Sequence, residues 1–195
     1  MVQLASGRPG RPAAATREAA LALARERFLA SERVDVQAIA RELGLARATM
    51  HRWFGTREEL LGEMLGELGE ERLLANRKRA QGGGAKALLE CFDRYNRELA
   101  ATPGLSWLLA QEQERALRIL TSSGGLVQPR MLSAVERLIE AEIEEGAFAT
   151  PIAPATLGYA IVRLAESFLY NDAIVGIRGD TGRLREIEAL LLGIA

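Results

Sequence analysis

Residues 36–55, VQAIARELGLARATMHRWFG, constrain the fold more strongly than any other stretch of the chain. Two short segments within it, 36–43 and 47–54, show the apolar spacing of amphipathic helices. Between them lies Gly44, which tolerates positive φ and so permits a tight turn. Ala40 is small enough for the two helices to cross closely. The pattern predicts two short helices packed at a steep angle across the turn, as in a helix-turn-helix.

The second of these helices is predicted to be apolar on one face and cationic on the other. Met50, Trp53 and Phe54 lie on the apolar face, which would anchor the helix to its neighbours. An α-helix fits the major groove of B-DNA, where Arg can pair bidentately with guanine and small residues permit close approach. The opposite face is therefore predicted to contact double-stranded DNA through Ala46, Arg47, Ala48, Thr49, His51 and Arg52.

The start of the following helix is suited to binding phosphate. Thr56 and Glu59 fit a capping box, in which each side chain accepts a hydrogen bond from the other residue's backbone N–H. The free N–H groups and the dipole of a helix N-terminus favour an anion, and Arg57 adds positive charge there. Thr56 and Arg57 are therefore predicted to clamp a phosphate of the DNA backbone.

Charge is unevenly distributed along the chain. Residues 1–57 contain ten Arg and five acidic residues, a net charge of +5, whereas the remaining residues contain fifteen basic and twenty-one acidic residues, a net charge of −6. This distribution indicates that only the N-terminal part meets a polyanion. Within it, residues 1–15 are predicted to form a flexible basic arm whose Arg8 and Arg11 would lie in the DNA minor groove.

Helical apolar spacing continues from Thr16, a predicted N-cap, to the end of the chain, and no strand-like alternation interrupts it. The chain is therefore predicted to be all-α, with residues 16–60 forming a three-helix module and residues 61–195 a larger helical bundle. Glycine and proline breakers separate the predicted helices that follow Thr56, which are 56–80, 85–101, 105–121, 128–145, 154–171 and 181–193.

Residues 36–60, together with the helix before them, resemble the TetR family of transcriptional regulators. The family pattern of an Ile-Ala pair, a Gly turn, a basic residue, a Thr, an aromatic tail and a hydroxyl-basic pair falls on Ile39-Ala40, Gly44, Arg47, Thr49, Trp53-Phe54 and Thr56-Arg57. Three positions depart from it, where Ala46 replaces a capping hydroxyl, His51 a tyrosine and Gly55 a proline. The segment LAESFLYNDAIVG, 164–176, is similar to the subgroup of regulators found near quorum-signal degradation genes.

This resemblance implies a helix-turn-helix DNA-binding domain at 16–60 and a ligand-binding and dimerisation domain at 61–195. It implies a homodimer that binds a palindromic operator and is released when a small apolar or amphipathic molecule changes the spacing of the two recognition helices. Repression is the family's usual outcome. The alternatives are a helical protein that binds a small molecule without DNA, and a transcriptional activator without effector release. Lactone, fatty-acyl and aromatic effectors are all compatible with the sequence.

The bundle contains candidate residues for a ligand pocket. Trp107 with Gln111 places an apolar surface beside a polar group, which is typical of small-molecule cavities. Core packing explains Trp107 and Phe92 equally well, and Arg163 and Glu166 either pair with each other or orient a polar ligand. The residues predicted to bind the ligand are Phe92, Tyr95, Trp107, Leu108, Gln111, Glu112, Tyr159, Arg163, Glu166 and Tyr170.

The predicted helices 154–171 and 181–193 carry apolar stripes that admit two interpretations. Two such helices from each subunit would form a four-helix dimer interface. Alternatively, the stripes pack within the core of one chain. The first stripe consists of Leu157, Ile161, Leu164 and Phe168, and the second of Leu184, Ile187, Leu191 and Leu192.

The sequence argues against an enzyme and predicts neither a cofactor nor a metal site. The single histidine, His51, lies on the proposed DNA-contacting helix, and no HExxH, CxxC, Walker A or GxSxG motif occurs. Glu112 and Glu114, two residues apart, do not share a helix face. The lone Cys91 excludes an intrachain disulfide, and the absence of a signal peptide or a long apolar run predicts a cytoplasmic protein with no membrane contact.

Overall fold

The computed structural model describes residues 16–171 and 179–194. Within these residues the protein forms ten α-helices and no β-strand, which confirms the predicted all-α class. None of these helices is both long and apolar enough to cross a membrane. The helices are α1 Arg17–Leu29, α2 Val36–Glu42, α3 Arg47–Phe54, α4 Arg57–Arg79, α5 Gly84–Ala100, α6 Pro103–Gln111, α7 Gln113–Thr121, α8 Val127–Glu144, α9 Pro154–Glu166 and α10 Thr181–Leu191.

Side-chain caps define where three of the first four helices begin. The Thr16 hydroxyl accepts a hydrogen bond from the Ala19 N–H, 3.1 Å away, at the start of α1. The Asp35 carboxylate accepts hydrogen bonds from two backbone N–H groups of α2, each at 2.8 Å. At the start of α4, Thr56 and Glu59 form the predicted capping box. Ala46 precedes α3 and, having no polar side chain, leaves that helix without a side-chain cap.

The predicted helix 105–121 is interrupted in the structure. Glu112, with φ −138° and ψ 45°, separates α6 from α7. Its carboxylate is hydrogen-bonded to Arg57 of α4, so the break coincides with an attachment to another part of the chain. The predicted helix 154–171 also differs, because the α-helical geometry ends at Glu166 and a π-helical turn, Ser167–Asn171, completes the segment.

Helix α4 is the central helix of the fold and packs against α1, α5, α7 and α8. Its face toward α8 is lined with glycines, where a Cβ on Gly69 would lie 3.0 Å from the Met131 Sδ atom. Helix α9 then packs on α8, and α10 packs on α5. The domain boundary predicted after residue 60 falls inside α4, which therefore connects the three-helix module directly to the bundle.

Candidate nucleic-acid interface and effector cavity

Helix α3 presents a polar face to solvent and an apolar face to the core. Met50 and Phe54 are buried, with exposed fractions of 1% and 5%. Trp53 is partly buried and packs edge-on against Phe54, with ring centroids 6.3 Å apart. The predicted DNA-contacting residues are on the other side, where Ala46, Arg47, Ala48, His51 and Arg52 are exposed and Thr49 is half-buried.

The turn between α2 and α3 holds the second helix at a fixed angle. Gly44 has a φ of +63°, and among the described residues no atom lies within 4 Å of the position that a Cβ would occupy. The backbone conformation, rather than crowding, therefore favours glycine. The Leu45 N–H donates to the Ala40 carbonyl oxygen across the turn, with an N···O distance of 2.8 Å.

The arginines of the module fall into two groups. Arg17, Arg25 and Arg27 are held in ion pairs with glutamates, and Arg17 also lies over the Phe54 ring, 4.8 Å from its centroid. Arg47 and Arg52, by contrast, make no ion pair with any residue of 16–171 or 179–194. Their charges are therefore available to a polyanionic partner.

A shallow groove runs between α2, α3 and the start of α4. Arg47, Ala48 and His51 line it from α3. Gln37 lines it from the first turn of α2 and is exposed, so its amide can reach a phosphate or a base edge. Gln37 was not among the residues predicted to contact DNA, although its position as a polar residue in the first turn of α2 indicates such a role.

His51 is oriented by its own helix end. Its Nδ1 lies 2.7 Å from the Gly55 carbonyl oxygen. A carbonyl oxygen can only accept, so Nδ1 carries the proton and Nε2 is free to face a partner. In the neutral ring Nε2 is an acceptor, and it becomes a donor to phosphate only when the imidazole is protonated.

The predicted phosphate clamp at Thr56 and Arg57 has a different arrangement in the structure. The Thr56 hydroxyl is part of the capping box. The Arg57 guanidinium donates to both oxygens of Glu112, at 2.7 and 2.9 Å, and its Nε donates to the Val34 carbonyl. Arg57 therefore joins the module to the α6–α7 break through its guanidinium, while part of its side chain lines the groove. Arg8 and Arg11, the predicted minor-groove residues, lie outside the described residues.

A cavity of about 360 Å³ lies inside the bundle. Two of the predicted ligand-binding residues, Tyr95 of α5 and Tyr170 of the π-helical turn, line it. A second cavity of about 50 Å³ shares both tyrosines and adds the predicted residues Phe92 and Glu166. The volume and the largely apolar lining are those of a site for a small organic molecule.

Six predicted ligand-binding residues do not line either cavity. From α6, the larger cavity includes only the first turn, with Pro103 and Leu105. The later part of α6 is directed elsewhere, because Trp107 packs against the core, Leu108 is 2% exposed within it and Gln111 is exposed. The remaining three are Glu112, bound to Arg57, Tyr159, which is 54% exposed on α9, and Arg163, which is exposed and bound to Glu166.

Two cavity-lining residues come from the DNA-binding module, which the sequence analysis did not predict. Phe28 and Leu29, at the end of α1, form part of the wall of the larger cavity. Helical spacing in α1 predicts that Phe28 is buried, but it does not show that one side of the ring adjoins an empty space. The larger cavity is therefore not confined to residues 61–195.

Glu166 is held by two donors at the inner side of the bundle. Gln128 Nε2 lies 3.0 Å from one of its carboxylate oxygens, and an Arg163 guanidinium nitrogen lies 2.7 Å from the other. Burial raises the pKa of Glu166 above its ordinary value, although both hydrogen bonds act in the opposite direction. Its hydrogen-bonding capacity is thus largely used within the protein.

Comparisons with known proteins agree with this arrangement. The family model described as the tetracyclin repressor-like C-terminal domain matches residues 83–193. The structure of the R. erythropolis transcriptional repressor QsdR, of the TetR family, is similar over 92% of this chain and 95% of that one, with 28% identity and a TM-score of 0.83. No curated protein sequence matches the chain.

Two other solved structures are more distant. PfmR from Thermus thermophilus has 21% identity and a TM-score of 0.45 over 89% of this chain and 97% of that one. FadR from Bacillus subtilis, solved with stearoyl-CoA, has 15% identity and a TM-score of 0.49 over 90% and 97%. The family model covers more than half of the chain. The all-helical fold, with a helix-turn-helix before the matched residues, is consistent with that match. The protein is a member of the TetR family of transcriptional regulators.

Proposed function

We propose that the protein is a repressor that binds a palindromic operator as a dimer and is released by a small apolar or amphipathic molecule. The observation that carries DNA recognition is the exposed face of α3, where Arg47 and Arg52 lack acidic partners among the described residues. Similarity to QsdR, which is described as a transcriptional repressor, supports repression over activation.

The surfaces of α9 and α10 support the dimer. Tyr159 on α9 and Leu190 on α10 are 54% and 73% exposed, so the outer face of each helix presents a large side chain with apolar surface that a second subunit could cover. Leu157 and Ile161 of the predicted stripe, in contrast, are buried within the chain, at 0% and 2% exposure. The interface would therefore use the outer faces of these helices rather than the stripe identified from the sequence.

The shared wall of the cavity supports effector release. A molecule in the larger cavity contacts Phe28 of α1 directly, and α1 packs on α2 within the DNA-binding module. To lower operator affinity a hundredfold, the effector must favour the non-binding conformation by about 2.7 kcal/mol. Only contacts that differ between the two conformations, such as those with Phe28, can supply this difference.

Replacing Arg47 or Arg52 by Ala is expected to cost about 1–3 kcal/mol of specific binding if that residue contacts a base. Binding to an operator duplex, selected from random sequences, should depend steeply on salt. With about eight phosphate contacts per dimer, the log–log slope should be near −7. Fluorescence anisotropy from about 50 to 200 mM salt measures both quantities.

The matched control is Arg118→Ala on α7, which also removes one exposed arginine. It should leave operator affinity unchanged. Equal losses from Arg118→Ala and Arg47→Ala would contradict a specific role for α3. Binding without salt dependence would favour a small-molecule-binding protein that does not act on DNA.

A further inference from the structure

Glu188 of α10 is a completely buried carboxyl group at the inner end of the cavity system. Its exposed fraction is 0%, and it lines the smaller cavity. Asn96 Nδ2 of α5 donates to its Oε1 at 3.0 Å. Its Oε2 has no hydrogen-bond partner among the described residues. A buried polar atom without a hydrogen-bond partner costs free energy. Because Glu188 lines a cavity, we infer that a bound molecule supplies the missing hydrogen-bond partner of Oε2.

The smaller cavity lies next to the larger one. Tyr95, Tyr170 and Met131 line both, so these side chains stand between the two spaces. Leu29 and Arg72, which are partly exposed at the surface, line the larger cavity, and Glu188 lines the smaller one. A single elongated molecule that passes between the shared side chains would place its tail in the larger space and a small polar end beside Glu188.

The protonation state of Glu188 decides what that end must be. Burial raises the pKa of Glu188 to about 8, the Asn96 hydrogen bond acts in the opposite direction, and Arg185 is close to Asp93. At neutral pH the carboxyl is therefore mostly protonated, and with Oε1 accepting from Asn96, its proton lies on Oε2. The titratable and charged groups near it on α5, α9, the π-helical turn and α10 are Cys91, Asp93, Tyr95, Glu166, Tyr170 and Arg185.

A charged group at the end of a ligand would fit poorly beside Glu188 in the smaller cavity. An anion would meet the carboxyls of Glu188 and Glu166, while Arg163 is already bound to Glu166. An ammonium group carries three donors, and the largely apolar lining offers it Glu188 as an acceptor without a partner of its own. An uncharged oxygen that accepts one hydrogen bond needs only the proton on Oε2.

We propose that the cavity binds an uncharged amphipathic molecule whose carbonyl-type oxygen accepts a hydrogen bond from Glu188 and whose apolar tail fills the larger cavity between α1, α5 and α8. This inference rests on the proposed effector site and assigns its chemical class. One water molecule, with its single non-hydrogen atom, occupies about 30 Å³ of the liquid. By this measure the larger cavity, of about 360 Å³, holds a tail of about a dozen non-hydrogen atoms. The smaller cavity holds a head of one or two atoms.

Three probes of equal length test the chemical class. The probes are 2-nonanone, nonylammonium and nonanoate. Each is titrated into the full chain without DNA, and its affinity is measured by how well it displaces the neutral fluorescent molecule N-phenyl-1-naphthylamine. At pH 7 the ketone is expected to bind about tenfold more tightly than either ion, the difference that one well-made hydrogen bond supplies. Tighter binding of nonylammonium, with affinity that rises with pH, would overturn the proposal in favour of a cation site. Tighter binding of nonanoate would overturn it as well.

The pH profile identifies Glu188 as the recognising group. Ketone binding needs the protonated carboxyl, so affinity is complete below the pKa of about 8 and is lost above it. Wild-type affinity should fall up to about tenfold between pH 7 and pH 9, because the protonated fraction falls by that factor. The profile should persist in Glu166→Gln. Because burial raises the pKa values of both cavity tyrosines, their phenols stay neutral over this range.

Substitutions of Glu188 separate recognition from a structural role. Glu188→Gln retains the acceptor for Asn96 and a donor for the ligand, so ketone affinity should remain within about threefold while the pH dependence disappears. Glu188→Leu should lose about tenfold at pH 7. The surface variant Glu140→Gln is the matched control, with wild-type affinity and profile. If Glu188→Leu does not fold, the pH profile of Glu188→Gln decides alone.

The outcomes also separate this inference from the proposed function. Unchanged ketone affinity in Glu188→Leu, or an unchanged pH profile in Glu188→Gln, would overturn the role of Glu188 whether or not effectors release DNA. If the ketone binds as expected and no cavity ligand releases the operator duplex, the chemical class stands and effector release is wrong.

Discussion

Replacing Arg57 by Ala is expected to lower the free energy of unfolding by about 1.5–3 kcal/mol, the range for losing hydrogen bonds to a charged group. Both side chains are half-buried, with exposures of 14% each for Arg57 and Glu112. The substitution leaves the Glu112 carboxylate with Arg115 as its remaining ion-pair partner among the described residues. Urea unfolding measures the loss. The salt dependence of operator binding should not change, because the Arg57 guanidinium is bound to Glu112.

Two controls refine this expectation. Arg115→Ala removes the other guanidinium bound to Glu112, but Arg115 is 45% exposed, so the loss of stability should be clearly smaller than that of Arg57→Ala. The double variant Arg57→Met with Glu112→Leu removes both charges and should recover most of the stability. If Arg57→Ala instead lowers the log–log salt slope by about one unit, Arg57 contacts a phosphate, as the sequence predicts.

The pH dependence of the free energy of unfolding is a second way to compare wild type with Arg57→Ala. The hydrogen bond from Arg57 lowers the pKa of Glu112 to about 2, with a smaller contribution from Arg115 and with burial acting against both. The stabilisation is therefore complete above the ordinary pKa of a glutamate and is lost as the pH falls toward about 2. Wild type and Arg57→Ala should differ most near neutral pH and converge on acidification.

Features that depend on neighbouring residues were predictable from the sequence. The start of α4 follows from a capping box four residues long, and the bounds of α3 follow from the glycines that flank it. The α6–α7 break was not predictable, because the segment around Glu112 contains neither glycine nor proline and its partner, Arg57, is 55 residues away. A local pattern carries no information about such a contact.

The residues that line the two cavities show a second limit on what the sequence can predict. Tyr95 and Tyr170 were identified because aromatic residues are scarce in this chain. Glu188 was missed although Leu184 and Leu191, four residues before it and three after it, place it on the predicted apolar face of the helix, because a glutamate is ordinarily solvated. The packing of α10 on α5 buries it. Periodicity predicts which face of a helix is covered. It does not predict whether that face packs against other side chains or borders a cavity that a ligand can fill.

Phe28 belongs both to the core of the DNA-binding module and to the cavity wall. It is 4% exposed, whereas Leu29, the next residue in the same wall, is 42% exposed. The start of α6 lies directly against the end of α1, since a Cβ on Gly104 would be 1.9 Å from the Phe28 carbonyl oxygen. A change in the volume at Phe28 is therefore transmitted to both parts of the protein.

Replacing Phe28 by Ala is expected to lower the free energy of unfolding by about 3–5 kcal/mol, because it removes a buried ring and enlarges a cavity that is already present. Leu29→Ala, the matched control, should cost less than about 1 kcal/mol, since Leu29 is largely solvated. Urea unfolding measures both. The enlarged cavity should bind N-phenyl-1-naphthylamine more tightly, and saturating amounts should restore part of the lost stability, because the ligand binds only the folded state. Equal losses from the two substitutions, or no recovery with the ligand, would show that Phe28 is not part of the effector cavity and that effector release must reach the recognition helix through α4 instead.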